Sequence, residues 1–443
     1  MKERETKSLQ EEDVRSLVRD QGRQTLSRAP QLKRRRPRPT AQPRHTLFRF
    51  RRPTLRAVSA ALFAVLVFVG TAAGLLYNDL SHRAAKSELQ VEQFAPQKEN
   101  RPPADSFDGR AVNVLVLGTD SRVGEGNSRY GDDEDPSLRA DVTIIAHISA
   151  DRSRVQLVSI PRDTIVDIPS CVLKDGTQTY PQTGQINWAM SIGSGYNEEN
   201  LDAGVGCTWR TVEELTGIPI DGFVIFDFAG FEKIINALGG VEMCFEEDLY
   251  DQAAELDIPA GCHVLNGHDA LAYARARKEI GNGSDISRIG RQQELMGRIF
   301  HTAQSQNLLT DFPKLYAFIS ESLDIIKTSS NFSRINTSMG LAYSLSAFSA
   351  DGLQFVTMPL TEAPWDTNRV IPTWQADELW ESIQKDQPLP SNIWITDAEG
   401  NVVFLEESSE TKTNSTGSDG GFEGSYGSND EYLRNSDSDG DGL

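Results

Sequence analysis

A run of 21 uncharged and mostly apolar residues, Ala57 to Tyr77, constrains this chain more than any other feature. As a helix such a run extends about 31 Å, the thickness of a bilayer's hydrocarbon core. It begins only after 56 residues, too far in and too long for the apolar segment of a cleaved signal peptide, so a retained transmembrane anchor is expected at 57–77.

The flanks orient that anchor. Residues 1–56 hold 17 Lys or Arg against 6 Asp or Glu, and no acid interrupts the 12 basic residues from Arg23 to Arg56. Positive charge on this side places the basic tail, 1–56, in the cytoplasm and sends the chain from Asn78 onward outside. The whole chain carries −20 and the tail +11, which leaves −31 beyond it. The tail suits anionic lipid head groups. Its run Lys33-Arg34-Arg35-Arg36 would also suit nucleic acid, but no nucleic-acid-binding fold accompanies it and no such partner is expected. All four cysteines lie beyond the anchor, as in an oxidising compartment. Nearest-neighbour loops nest most simply if Cys171 pairs with Cys207 and Cys244 with Cys262.

Beyond the anchor, 78–110 is polar, is broken by Arg101-Pro102-Pro103, and reads as a stalk. Residues 406–443 contain 10 acidic against 2 basic residues among Ser, Gly and Asn, a composition that cannot offset its ordering entropy, so a disordered tail is expected. The intervening 111–405 is long enough for one sizeable domain. Apolar β-rich runs at Val112 to Leu117, Val142 to Ile148, Val155 to Ile160, Val224 to Phe228 and Val241 to Phe245 alternate with helical patterns. Those patterns cover Thr208 to Leu215, Ala229 to Leu238, Asn266 to Ala276, Asp285 to Phe300 and Phe312 to Ile326. The mixture predicts an α/β fold, a central mixed β-sheet flanked by helices. The short turn at Ala150 to Ser153 makes the second and third strands an antiparallel hairpin. Gly193-Ser194-Gly195 reads as a flexible loop, and His147, on a strand, as a packed histidine.

The chemistry gathers at two places. The first strand runs into Asp120-Ser121-Arg122, the second is entered through Arg139-Ala140-Asp141, and the third exits into Arg162-Asp163. In an antiparallel arrangement these ends share one rim. A second cluster holds Arg275, Arg277, Asp285, Arg288, Arg291 and Gln292, the last four spaced to fall on one helix face. Guanidiniums that never deprotonate are suited to phosphate oxygens, and several together suit a diphosphate. Carboxylates in the same place would repel that ligand unless a divalent cation lay between them, so Asp120 and Asp141 with Mg²⁺ and a pyrophosphate form a self-consistent site. Surface ion pairs would account for these residues singly, but less readily for two converging clusters.

The segments NVLVLGTDSR (Asn113 to Arg122), RADVT (Arg139 to Thr143), SIPRDT (Ser159 to Thr164) and LNGHDALAYARAR (Leu265 to Arg277), followed by Asp285, Arg288, Arg291, Gln292 and Gln293, resemble the LytR-CpsA-Psr family of membrane-anchored glycopolymer transferases. The resemblance covers roughly residues 110 to 385. It implies one α/β domain enclosing an apolar tunnel for a polyprenyl chain, to which the helices around Leu295 to Phe300 and Leu315 to Ile326 would contribute. It implies Mg²⁺ held by Asp120 and Asp141, and a pyrophosphate held by Arg139, Arg288, Arg291 and Gln292. Arg122, Arg162, Arg275 and Arg277 would surround the reacting phosphate; for an in-line attack on it, either Asp163 or Asp285 is the expected proton acceptor, and the sequence does not choose between them. The implied reaction moves a glycan phosphate from a polyprenyl-diphosphate carrier to an acceptor hydroxyl, usually of peptidoglycan. Alternatives at the same site are a polyprenyl-diphosphate phosphohydrolase, transfer onto a surface protein, and a wall-polymer-binding or regulatory protein without turnover.

Overall fold

The computed structural model describes residues 53–96, 109–121, 138–277, 285–306, 308, 311–345, 348–397 and 401–406. Residues 1–52, Arg122 and 407–443, on which several expectations fell, lie outside the described residues. The chain divides into units 1–66 and 67–443. Of the first, only the helix beginning at Pro53 is described.

In chain order the elements are α1 (Pro53–Ser87), β1 (Val112–Thr119), β2 (Ala140–Ile148), β3 (Val155–Ser159), β4 (Ile165–Ile168), β5 (Gln182–Gln185), α2 (Trp188–Ser194), α3 (Leu201–Thr216) and β6 (Gly222–Phe226). There follow α4 (Phe228–Ala237), β7 (Val241–Phe245), β8 (Leu249–Asp251), β9 (Leu256–Ile258), β10 (Gly261–Leu265), α5 (Gly267–Arg275), α6 (Asp285–Ser305), α7 (Phe312–Leu323) and β11 (Lys327–Thr328). The last are α8 (Ser330–Ser333), α9 (Ile335–Ser344), β12 (Leu353–Thr357), β13 (Leu360–Ala363), β14 (Asp366–Pro372), α10 (Trp374–Gln384), β15 (Trp394–Thr396) and β16 (Val402–Phe404).

Helix α1 has 35 residues, about 52 Å at the helical rise, which exceeds what a hydrocarbon core of roughly 30 Å requires. Its stretch from Ala61 is long and apolar enough to cross a membrane, and Leu62, Phe63, Leu66 and Phe68 are bare. The helix does not end with the apolar run. Leu80 and Ala84 bury against Leu323 and Ile335, with Tyr316 and Ile319 alongside, and the Tyr316 hydroxyl donates to Asp79 at 2.7 Å. Val91 and Ala95 then join the main core. The expected stalk is therefore docked over 78–95. Two of its apolar residues, Leu80 and Ala84, recur at helical spacing, a signal that its polar composition hid.

Eight strands form the central sheet in the order β11-β6-β1-β2-β3-β12-β15-β16. The β2–β3 hairpin is antiparallel as expected, and β1 also runs antiparallel to β2, whereas β6 and β12 add parallel to β1 and β3. Successive side chains on a strand face opposite sides. Leu115, Leu117, Ile145 and Phe223 point one way and pack on Val205, Trp209 and Val212 of α3 and on Leu379 and Ile383 of α10. On the other side, Leu353 and Phe355 meet Met296 and Phe300 of α6, and Val112 and Val114 meet Phe332 and Leu341. A smaller core gathers β7, β9, β10 and α5 around Met243, Leu256 and Tyr273.

Both disulfides form as expected, Cys171 to Cys207 and Cys244 to Cys262, the second between directly opposed residues of β7 and β10. The glycines at 193 and 195 are not a loop. Gly193 lies inside α2, where a Cβ would stand 2.3 Å from Cys207 Cβ and 2.6 Å from the Ala203 carbonyl oxygen, so only glycine lets α2 approach α3 this closely. Gly195 caps the helix in the left-handed conformation.

Candidate active site

A cavity of about 490 Å³ lies between the sheet and helices α4, α5 and α6, within the size range of small-molecule sites. Its wall changes character in the same direction along every element. β1 passes from Val116 to Asp120, β2 runs backwards from Ile144 to Asp141, and β6 ends at Phe226, next to Asp227. Helix α5 passes from Leu271 to Arg275, and α6 from Ile299 and Leu295 back to Gln292 and Arg288. The pairings align these ends, because Gly118 sits opposite both Val142 and Phe226. The result is an apolar chamber with an ionic mouth.

Local irregularities aim the side chains. The β1–β2 register slips between Gly118 and Thr119, which face Val142 and Ala140, leaving Asp141 as the extra residue. A bulge of this kind re-aims a side chain. It explains why the neighbours Asp141 and Val142, which would alternate across a regular strand, both line the cavity. Gly118 supplies space on the floor, where a Cβ would lie 3.0 Å from Val142 Cβ and 3.4 Å from the Phe226 ring.

At the mouth, Arg162 Nη1 donates to Asp141 Oδ1 at 2.9 Å. The Arg139 backbone N–H donates to Asp120 Oδ1 at 2.9 Å, and an Arg288 Nη2 hydrogen lies toward the Asp141 carbonyl at 3.5 Å. Burial, and secondarily the neighbouring Asp141, push the Asp120 carboxyl up to about 6. The Arg275 guanidinium stacks over the Phe228 ring at 4.7 Å, an arrangement that holds a cation flat against an aromatic face.

Of the residues expected here, Asp120, Asp141, Arg162, Arg275, Arg277, Arg288 and Gln292 line the cavity. Arg122 and the Asp285 side chain lie outside the described residues. Three others are not among the lining residues. Arg139 contributes its backbone to Asp120. Asp163, next along from Arg162, accepts from Gln185 Nε2 at 2.8 Å and from Arg369 Nη1 at 3.4 Å instead. Arg291 is buried and bonds to the Ala276 carbonyl and to Ser287 Oγ. Of the two expected tunnel segments, α6 contributes Leu295, Met296 and Ile299, whereas α7 packs on the end of α1. Sequence reading missed Asp227 and Phe228. Asp227 caps α4 through Gly230 N–H at 2.7 Å, and such a cap preceding the Ala229 to Leu238 pattern could have flagged it.

The donor set suits a hard divalent cation. Among the described residues no group of three metal-ligating side chains occurs. Mg²⁺ characteristically takes one or two carboxylates and fills its other positions with water and phosphate oxygens. Asp120 and Asp141 both line the mouth and would supply the two carboxylates.

Sheet, helices and mouth together define the class, an α/β protein that encloses an apolar chamber behind an ionic rim. Within that class the chain belongs to the LytR_cpsA_psr family, whose model matches residues 75–385. It is 31% identical over 241 residues to the probable cell wall biosynthesis protein LcpB of Corynebacterium glutamicum, covering 53% of each chain. It is 31% identical over 262 residues to the polyisoprenyl-teichoic acid–peptidoglycan teichoic acid transferase TagT of Bacillus subtilis, covering 56% of this chain and 70% of that one. A third relative, the cell wall biosynthesis protein LcpA of C. glutamicum, is 30% identical over 325 residues, 70% of this chain and 60% of its own. The chain thus spans between about half and seven tenths of these relatives' lengths. 

Proposed function

We propose that this chain is a membrane-anchored extracytoplasmic phosphotransferase, moving a glycan phosphate from a polyprenyl-diphosphate carrier to an acceptor hydroxyl and so attaching a cell-wall polymer to peptidoglycan. The observation that carries this reading is the shared change from apolar to charged lining along β1, β2, α5 and α6. Such a site fits a ligand that is hydrocarbon at one end and polyanionic at the other. The name of TagT, a teichoic acid transferase, supports the same reaction class, and that of LcpB supports a role in cell wall biosynthesis.

In this reading the prenyl chain enters between Val116, Phe231 and Ile299, and burial of its methylenes drives binding. Arg162, Arg275, Arg277 and Arg288 grip the diphosphate oxygens and Gln292 donates beside them. Asp120 and Asp141 would hold Mg²⁺, which when bound neutralises charge on the phosphate oxygens. The acceptor hydroxyl oxygen forms a new bond to the sugar-linked phosphorus as the bond to the lipid phosphate breaks, and the hydroxyl proton passes to solvent or to the departing lipid phosphate. The arginines stabilise the charge that develops on the departing group.

The test uses the full chain in vesicles with a polyprenyl-diphosphate glycan, Mg²⁺ and nascent peptidoglycan, with products identified by mass spectrometry. A phosphodiester-linked glycan on the acceptor is expected. Free glycan phosphate, formed equally without acceptor, would replace this reading with a hydrolase; no metal-dependent product would replace it with a wall-polymer-binding protein. Asp120→Ala and Arg275→Ala should each lower turnover on the order of 100-fold with circular dichroism unchanged.

A further inference from the structure

Arg275 and Arg277 flank the place where α5 ends. Helix α5 stops at Arg275; the Ala276 N–H still donates to the Ala272 carbonyl at 2.9 Å, but Ala276 turns to φ −55° and ψ 133°, so helical hydrogen bonding does not carry on to Arg277. The backbone here is instead held by side chains from elsewhere. Gln292 Nε2 donates to the Ala274 carbonyl at 3.1 Å. Arg291 Nη2 donates to the Ala276 carbonyl. The Arg277 N–H donates to Asp251 Oδ2 at 2.8 Å. Asp251 is 1% exposed and is itself fixed, since its other oxygen accepts from Ala253 N–H and Ala254 N–H at 3.0 and 3.2 Å.

Arg291 is 9% exposed, and the groups bearing on it are Tyr273, Asp251 and Glu294, with the Tyr273 hydroxyl donating to Glu294 at 2.7 Å. Its second terminal nitrogen donates to Ser287 Oγ at 2.9 Å, within its own helix. One planar fork therefore ties the start of α6 to the chain between the two mouth arginines. A lysine has donors enough but only one nitrogen, without the two fixed, diverging nitrogens that reach these two acceptors.

The geometry points to Arg291 and Asp251 as positioning residues that fix the backbone at residues 276 and 277, between and at the two mouth arginines, so that Arg275 and Arg277 face the cavity together, with Arg291 making no contact with the diphosphate. This inference rests on the proposed diphosphate site and deepens it. Loss of either tie frees the end of α5 while the chamber and the carboxylate pair remain.

The experiment compares Arg291→Lys and Asp251→Asn with the wild-type full chain, alone and combined with Arg275→Ala. Hydrogen exchange at residues 272–277 is read first, because it needs no ligand. Both single variants should exchange faster there, with protection elsewhere and thermal midpoint near wild type; unchanged protection at 272–277 overturns the inference. Titration with inorganic pyrophosphate and Mg²⁺ is read second. Each variant alone should weaken binding at least tenfold, yet by less than about threefold when Arg275 is already alanine, because coupled residues are non-additive. Losses that multiply would make Arg291 a direct ligand and overturn the inference. If the wild type binds pyrophosphate but transfers no glycan, the transferase reading alone fails. Should Arg291→Lys not fold, Asp251→Asn carries both readings.

Discussion

Asp120 is held at a cost. Its carboxyl is pushed up to about 6 by burial and by Asp141, so in the metal-free protein its ionised form opposes folding. The sign follows directly, since this contribution is favourable below about pH 4 and is lost as pH rises through about 6, a difference of about 3 kcal/mol at neutral pH. Asp120→Asn should therefore raise the thermal midpoint of the chelator-treated protein at pH 7 while lowering transfer on the order of 100-fold. A midpoint at or below wild type would contradict that trade. Residue types at the mouth were legible in the sequence because arginines and acids at strand ends have few structural uses. Which way each pointed was less so. On a helix at about 100° per residue, Arg291 sits about 60° from Arg288, close enough to share a face on paper. Which neighbour lies alongside decides its role, and here α5 takes Arg291 while the cavity takes Arg288, Gln292 and Leu295.

Elements were readable where their patterns were long. Helices α4 to α7 and strands β1 to β3 fall close to the periodic segments that suggested them. The bulge at Asp141 left no such trace, because one extra residue in a strand does not alter composition. His147 joins three elements, with its ring nitrogens 2.7 Å from Asn113 of β1 and 3.1 Å from Asp386 after α10. Burial lowers it from the usual histidine value. The unfolded chain takes up a proton below about pH 6.5 that the folded one refuses, so this contribution is present above that pH and lost as pH falls. His147→Gln should flatten the acid limb of a stability–pH curve measured by urea denaturation. At the α2–α3 crossing, Gly193→Ala meets Cys207 and backbone of α3 and should destabilise by about 1–3 kcal/mol, read from the same denaturation.

Across the whole molecule, charge is sorted along the chain, +11 before the apolar helix and strongly negative after it. The expected topology follows from the basic side. A protease added to intact cells should remove the part beyond α1 and spare an N-terminal tag, and cleavage of the tag would reverse the assignment. The two disulfides divide their labour differently. Cys171–Cys207 fastens α3 into the main core. Cys244–Cys262 closes a loop of the chain that contains β8 and β9, and Asp251, at the end of β8, holds the Arg277 backbone. Replacing both Cys244 and Cys262 by Ser should therefore cost more in turnover than in thermal midpoint. That loop gives the protein a sense of place. With the proposed outward topology, a chain still inside the reducing compartment of its synthesis would lack the Cys244–Cys262 bond, and the loop that carries Asp251 to the Arg277 backbone would close only after export.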